Sequence, residues 1–429
     1  MELARRLGRA RALEAMVLLS FLPEIAAFLL FIGMGTQVPQ IGAMLILVEF
    51  ALVGLLFVFR TTAFIEVLRR WWWLLLMPFT AVLSALWSDL PMTSLRYGAQ
   101  FLFTCVVGVL LAQLLTPKRF ICVLTAAMFV FCLICVAWGR QGSSAEGMVL
   151  IGLTGSKNQM GYAGQILLLA AVATLMMKQV GPILRVVALI SLPLAIYIVA
   201  GTNSATAVLM AFGGSAALIG LWWAERLPPG GRLFTLLAGA LMFAPLMLLL
   251  PEAIAFTNTF LFDTLGKDPT LTGRIFLWER ADALIDRKPI LGYGFQAIWM
   301  GDSTDTIGLK RLANIEDGRQ FHFHHQFRII AVDLGFAGLI PFVLAIVAAG
   351  CGHIRQMLLH PSVPTSFFLV LFALMVARAF TDQIIGPFNM HTLFFYAASV
   401  YAFWGPQQVG AEAAAPATSH RRNRATPAY

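Results

Sequence analysis

The chain has 429 residues, of which 59% are hydrophobic and only 12% charged, with a mean hydropathy of +0.81 and a formal net charge of +9. Such a composition cannot cover a soluble surface with polar groups, which excludes an ordinary soluble domain and requires a polytopic membrane protein. In that setting the basic excess is an orientation signal of cytoplasmic loops, not a nucleic-acid footprint.

At the N-terminus, Arg5, Arg6, Arg9 and Arg11 precede an apolar run from Val17 to Met34. The run is long and no small-x-small cleavage site follows it, so an uncleaved first helix is expected instead of a signal peptide. At about 20 apolar residues per crossing, the windows predict twelve transmembrane helices: 17–34, 41–59, 72–88, 98–116, 120–138, 159–177, 186–201, 204–223, 233–256, 327–349, 365–384 and 390–404. The expected fold class is thus an all-α polytopic integral membrane protein with a large loop between spans 9 and 10. Its predicted sections are helices 1–9 over 1–256, the loop over 257–326, helices 10–12 over 327–404, and a disordered tail over 405–429.

Alternation of Lys and Arg tests this count. Starting inside, the inner segments collect 17 basic residues, including Arg60, Arg69, Arg70, Lys118, Arg119, Arg226 and Arg232, whereas the short outer loops hold only Arg96, Arg140 and Lys157. Long translocated loops are exempt from the rule. Both termini are therefore expected in the cytoplasm and the loop 257–326 outside. The tryptophans beside Arg69–Arg70 and before Arg226 read as interfacial anchors. The five cysteines fall in or beside apolar runs and read as packing residues.

The loop 257–326 holds eight of the thirty Lys and Arg residues and three of the seven His. From Thr272 to Lys288, Ile275, Trp278, Ala281 and Ile285 recur at helical spacing, with Thr272 placed to cap and Pro289 to stop. That helix is expected to lie along the outer interface with Trp278 among the headgroups. Gly292-Tyr293-Gly294 reads as a turn, and 303–320 as a polar loop.

Four places carry chemistry. Arg274, in the first turn of that helix, suits a phosphate clamp, because its guanidinium adds to free N–H groups and the helix dipole; a solvated arginine is the plain alternative. His322, His324 and His325, followed by Gln326 and Arg328, suit proton transfer near neutral pH. A metal site competes, but two-residue spacing puts His322 and His324 on one face only in a strand, and no carboxylate is built into the cluster. Arg378 and Asp382, four apart near the outer end of a span, either neutralise each other or meet substrate. Lys157-Asn158, after Thr154-Gly155-Ser156, suits a phosphate or a sugar, or else snorkelling. Glu24 and Glu49 lie inside early spans, with polar packing and proton relay both open.

Several of these residues form a pattern. Thr272-Gly273-Arg274 with Trp278, Pro289-x-Leu291-Gly292-Tyr293-Gly294, and His324 followed by Gly335 and Gly338 resemble the O-antigen ligase and polymerase superfamily. Ser84-Ala85-Leu86-Trp87-Ser88-Asp89-x-Pro91, Gly155-Ser156-Lys157-Asn158-x-x-Gly161 and Arg378-Ala379-Phe380-Thr381-Asp382 resemble its ExoQ-type exopolysaccharide polymerases.

The resemblance implies a GT-C-like, metal-independent glycosyltransferase without cofactor. It would act at the periplasmic face of the bacterial inner membrane on an undecaprenyl-diphosphate-linked glycan. Arg274 would meet the leaving diphosphate and His324 the acceptor hydroxyl, as the catalytic pair. Lys157, Asn158, Arg328, Arg378, Asp382 and His325 would bind substrate. Membrane lipid, a flippase and a chain-length regulator are the implied partners. Two departures stand out. His325 and Arg328 occupy positions where the family usually has Asn and Leu, and Ala205 stands where a basic residue is usual, which implies replacement by Arg328, Lys157 or Arg378, a changed substrate, or loss of activity. A ligase moving a finished glycan to another acceptor uses the same motifs. A lipid-glycan flippase is the rival from another class, although no internal repeat is visible.

Overall fold

The computed structural model describes residues 20–144, 147–241, 272–312 and 321–404, with the side chains of 39, 40, 43, 143, 144, 272–275 and 312 outside the description. The helices are α1 (Leu22–Gly35), α2 (Pro39–Phe59), α3 (Thr61–Trp71), α4 (Leu76–Leu83), α5 (Pro91–Leu114), α6 (Pro117–Trp138), α7 (Lys157–Met176), α8 (Pro182–Gly201), α9 (Ala205–Ala224), α10 (Thr272–Arg287), α11 (Thr304–Leu312), α12 (Gln326–Leu359), α13 (Val363–Ala379) and α14 (Met390–Tyr401). Residues 229–241 are also helical; the rest of the expected ninth span, to 256, lies outside the described residues.

The sequence marks where these helices begin. Six of them have a proline in their first two positions, where the missing N–H costs nothing. Thr116, Ser156, Ser204, Ser362 and Asn389 each accept a hydrogen bond from a first-turn amide, closing helix ends that would otherwise leave donors unpaired. Among the described residues, six helices are long and apolar enough to cross a membrane, and a seventh span is available if a bent pair is counted. In that pair the chain turns by 95° between Met44–Phe59 and Thr61–Leu86. Two further apolar helices, α1 and α13, are shorter.

The bundle is organised around α7 and α14. Every residue of α14 is buried, and so is most of α7. Glycines make this possible. A Cβ at Gly108 of α5 would lie 2.7 Å from the Leu393 carbonyl oxygen of α14, and one at Gly161 of α7 would lie 2.7 Å from Ala207 Cβ of α9. Such close approach replaces the hydrophobic drive that helix pairs lack in lipid.

Two features depart from the expected plan. A short antiparallel hairpin, β1 (Arg140–Ser144) and β2 (Gly147–Gly152), joins α6 to α7, with a register shift between Arg140 and Gln141. The described part of the loop 257–326 also holds a second helix, α11, where a polar loop is expected. It builds a small core of its own on α12, from Leu277, Ala281, Leu284, Trp299, Leu309 and Phe323 with Ile329 and Val332. Trp278 is half-buried and donates its indole N–H to the Phe323 carbonyl at 2.9 Å, which braces α10 against the histidine segment.

The Pro289–Gly294 motif has a backbone explanation. Within α12, Gly335 sits at φ 59 and ψ −157, which breaks the helical ladder. The carbonyls of Val332 and Asp333, deprived of their usual partners, accept the amides of Tyr293 at 3.0 Å and Gly294 at 2.9 Å. The orphaned amides of Phe336 and Ala337 donate to the carbonyls of Pro289 at 2.8 Å and Ile290 at 3.0 Å. These freed groups are thus paired again by a strap of turns, as a buried backbone demands. The fit needs glycine on both sides: a Cβ at Gly335 would lie 2.4 Å from the Ile290 carbonyl, and one at Gly292 would lie 2.5 Å from the Val332 oxygen.

Candidate active site

The strap ends at Gln296, and α12 begins just after the histidines, so the break at Gly335 fixes where both segments reach. They meet the loop between α13 and α14 and the start of α7 around a cavity of about 600 Å³. His322, His324, Asp382, Asn158, Gln296 and Glu49 are among its lining residues. Gln326, also buried, laces two of these segments together: its Oε1 accepts the amides of Ile384 at 2.8 Å and Ile385 at 2.9 Å.

Asp382 is the junction of the site. Its Oδ2 takes the Arg378 guanidinium at 3.1 Å, and its Oδ1 faces His324 Nδ1 at 3.6 Å and His322 Nε2 at 3.8 Å. The fixed positive charge of Arg378 beside it favours the carboxylate form against the cost of burial. It is therefore ionised. Arg378 is itself fixed: it donates to the Asn158 carbonyl at 3.2 Å and lies 4.7 Å from the Tyr162 ring centre, which in turn packs against His391.

These contacts sort the three histidines. His324 adopts φ 51, a left-handed conformation unusual for a side-chain-bearing residue, and its amide donates to His322 Nδ1 at 3.1 Å. That turn brings His322 and His324 to one carboxylate despite their two-residue spacing, a meeting that regular backbone allows only in a strand. His322 has Nδ1 engaged by backbone and Nε2 directed at Asp382. His324 has Nδ1 facing Asp382 across 3.6 Å, wider than a hydrogen bond, with no other partner for that nitrogen among the described residues. His325 does something else. Its Nδ1 accepts the Arg328 amide at 3.4 Å as the cap of α12, and its ring packs against Trp278 and Phe380. Burial, helped by the neighbouring Arg328 charge, lowers its pKa to about 4.

The remaining expected site residues divide in the same way. Asn158 lines the cavity, whereas Lys157, first residue of α7, does not. Arg328 points to Asp282 of α10 with a bidentate contact of 2.8 and 3.1 Å and lies 5.1 Å from the Trp278 ring centre, so it clamps α10 to α12. The backbone at Arg274 belongs to the first turn of α10, one turn before Trp278; its side chain lies outside the described residues. Gln296 and Gln383 also line the cavity and are not marked by sequence pattern, and so does Glu49, for which the sequence leaves packing and proton relay open. Gln296 carries a signal legible only in the backbone, a φ of 60, with its amide held by Asp333 Oδ2 at 3.0 Å.

His322, His324 and Asp382 each offer a ligand atom within 4.8 Å of the others, a spacing compatible with a cation. Arg378, however, already occupies the second carboxylate oxygen with a fixed positive charge, which opposes a metal ion there. The arrangement is better suited to holding and moving a proton.

Comparison with known proteins agrees with these landmarks. Residues 190–343, which run from α8 through His324 into α12, match the family model described as O-antigen ligase. Over 337 residues the chain is 27% identical to "Exopolysaccharide production protein ExoQ" of Rhizobium meliloti (strain 1021), covering 76% of this chain and 75% of the relative.

Proposed function

Because this chain belongs to the O-antigen ligase/polymerase superfamily, a group of membrane enzymes of surface polysaccharides, we propose that it polymerises undecaprenyl-diphosphate-linked oligosaccharide repeats. The reaction would take place at the periplasmic face of the bacterial inner membrane, with twelve spans and both termini in the cytoplasm. The observation that carries this reading is His324, which faces the Asp382 carboxylate at 3.6 Å on the wall of a cavity large enough for sugars.

In the proposed step, His324 Nε2 takes the proton of an acceptor hydroxyl as its oxygen bonds to the anomeric carbon of the donor glycan. The bond from that carbon to the lipid diphosphate breaks, and the diphosphate leaves with the electron pair. Asp382 keeps the imidazole in the tautomer the step requires and stabilises the imidazolium that forms. Arg274, on the first turn of α10, is assigned to the charge growing on the leaving group. No metal or cofactor enters this scheme. A flippase that delivers the repeat and a chain-length regulator are the partners such a reaction needs.

The family description favours a second reading, in which a finished glycan is moved to another acceptor by the same chemistry. Sizing the lipid-linked glycans of cells carrying His324→Ala separates them. Accumulation of single repeats with no long chains is the expected result. Long chains building up on the carrier lipid would instead make the protein a ligase, and unchanged polymer would remove His324 from the mechanism.

A further inference from the structure

Glu49 is the single ionisable residue of α2, an otherwise apolar helix whose neighbouring side chains, Leu47, Val48 and Phe50, are exposed on the outside of the bundle. Glu49 turns inward, on the face that Val53 and Leu56 also bury. It is 3% exposed and lines the same cavity as His324. A buried carboxyl in a membrane helix is costly and is kept where it has a partner or a task.

The carboxyl is seated against α1, and one of its oxygens has no hydrogen-bond partner among the described residues. Oε1 sits over Gly33 of α1, where a Cβ would lie 2.8 Å away, so the glycine leaves the notch the carboxyl fills. Oε2 is buried and has no hydrogen-bond partner among the described residues. Such a group calls for a partner from the cavity itself.

The cavity's other polar groups indicate what that partner is. Gln37, Asn158, Gln296, Gln383 and Asn389 line it, and among the described residues no Lys or Arg does. Carboxamides offer both donors and acceptors and match hydroxyls, whereas a phosphate or a uronate would call for fixed positive charge. The backbone points the same way. Of the four described non-glycine residues at positive φ, three, Gln296, His324 and Phe388, line this cavity. Strain of that kind is retained where it aims groups at a ligand.

We propose that Glu49 is a glycan-binding residue, its inward carboxyl oxygen holding a hydroxyl of an uncharged sugar in the cavity beside His324. This rests on the glycosyltransferase reading above and adds to it the wall and the chemical class of the sugar subsite. Glu49 positions substrate and takes no part in bond making.

The test uses the full-length protein in detergent, as wild type, Glu49→Gln and Glu49→Ala. Each is titrated with the repeat oligosaccharide released by mild acid from the producing strain's carrier lipid, then assayed for chain extension on the intact lipid-linked repeat. Glu49→Ala is expected to weaken oligosaccharide binding and raise KM about tenfold or more, with kcat within a few-fold, and the near-isosteric Glu49→Gln to fall between it and wild type. Two folded variants that bind the oligosaccharide as wild type does would overturn the proposal. So would a loss of thermal stability in Glu49→Ala that Glu49→Gln restores while binding never changes, since that marks a packing role. If wild type binds the oligosaccharide in a Glu49-dependent way but extends no chain, the sugar site stands and the polymerase reading fails. If both variants extend chains with the KM of wild type, the polymerase reading stands and the sugar site fails.

Discussion

Replacing His325 by asparagine and, separately, His324 by asparagine separates two adjacent histidines that sequence spacing cannot tell apart. Asparagine is a good helix cap, so His325→Asn keeps the acceptor for the Arg328 amide at the start of α12. It removes the titration. In the folded protein His325 has a pKa of about 4 against an ordinary 6.5, from burial first and the Arg328 charge second. A histidine depressed in this way favours the folded state above pH 6.5 and loses that contribution as pH falls toward 4. From pH 7 to pH 5 the loss would be about 1.8 kcal/mol at full effect, and about 1 kcal/mol once the partial exposure of the ring is allowed for. The assay is thermal unfolding in detergent at the two pH values, alongside chain extension at pH 7. Wild type and His324→Asn should both destabilise on acidification, His325→Asn distinctly less. Only His324→Asn should abolish extension, since general-base catalysis is worth about 10² to 10⁴ in rate. An inactive but stable His325→Asn, with an active His324→Asn, would refute the division of roles.

Three further substitutions probe the frame around the site. Gly335→Ala should cost at least about 3 kcal/mol and sharply reduce the yield of folded protein, because the left-handed backbone and the Ile290 carbonyl 2.4 Å from the new Cβ both oppose it. Gly220→Ala, in α9 with nothing within 4 Å, should leave the melting temperature unchanged or slightly higher in the same measurement. Arg328→Ala should lower the melting temperature by a few degrees and leave KM for the lipid-linked donor unchanged. Its partner Asp282 is half exposed, at 52%, which limits the pair to about 1 kcal/mol. A raised KM at unchanged stability would return Arg328 to the substrate.

The membrane class, the placement of most helices and the importance of the histidine cluster are legible in the sequence because they rest on local signals: apolar run length, prolines and caps at helix starts, and unusual side chains at span ends. The meeting of Asp382 with His322 and His324 is not. It depends on a left-handed φ at His324, which no alternation rule foresees, and on a loop from a distant part of the chain. The role of Arg328 is hidden for a similar reason, since its partner Asp282 lies outside the positions of α10 that read as apolar. The buried face of α10 is itself offset by one position from the expected one, with Leu277, Ala281 and Leu284 buried and Trp278 turned toward the histidine segment. The hairpin after α6 is short and carries glycine in both strands, too weak a pattern to read beside long apolar helices. Glu49 is visible as an anomaly, but only the fold shows that it faces the cavity and not lipid.

The departure at Ala205 can be weighed against the geometry. Ala205 opens α9 directly after Ser204, whose hydroxyl lies 3.5 Å from Asn158 Oδ1. Arg378 donates to the carbonyl of that same Asn158, and a small polar cavity lined by Asn158, Ser204, Thr206 and Arg378 lies between them. A guanidinium from α13 therefore stands close to where the family's usual basic residue would emerge from the start of α9. Its charge is already committed, however: Asp382 takes it at 3.1 Å, and both partners are buried. A diphosphate reaching Arg378 would have to displace that carboxylate, and with it the group that orients His324. Using Arg378 as the main phosphate clamp would thus dismantle the base at the moment it is needed. The economical division of labour leaves Arg378 to hold Asp382 and assigns the leaving group to Arg274, on a helix that Trp278 already fastens to the histidine segment.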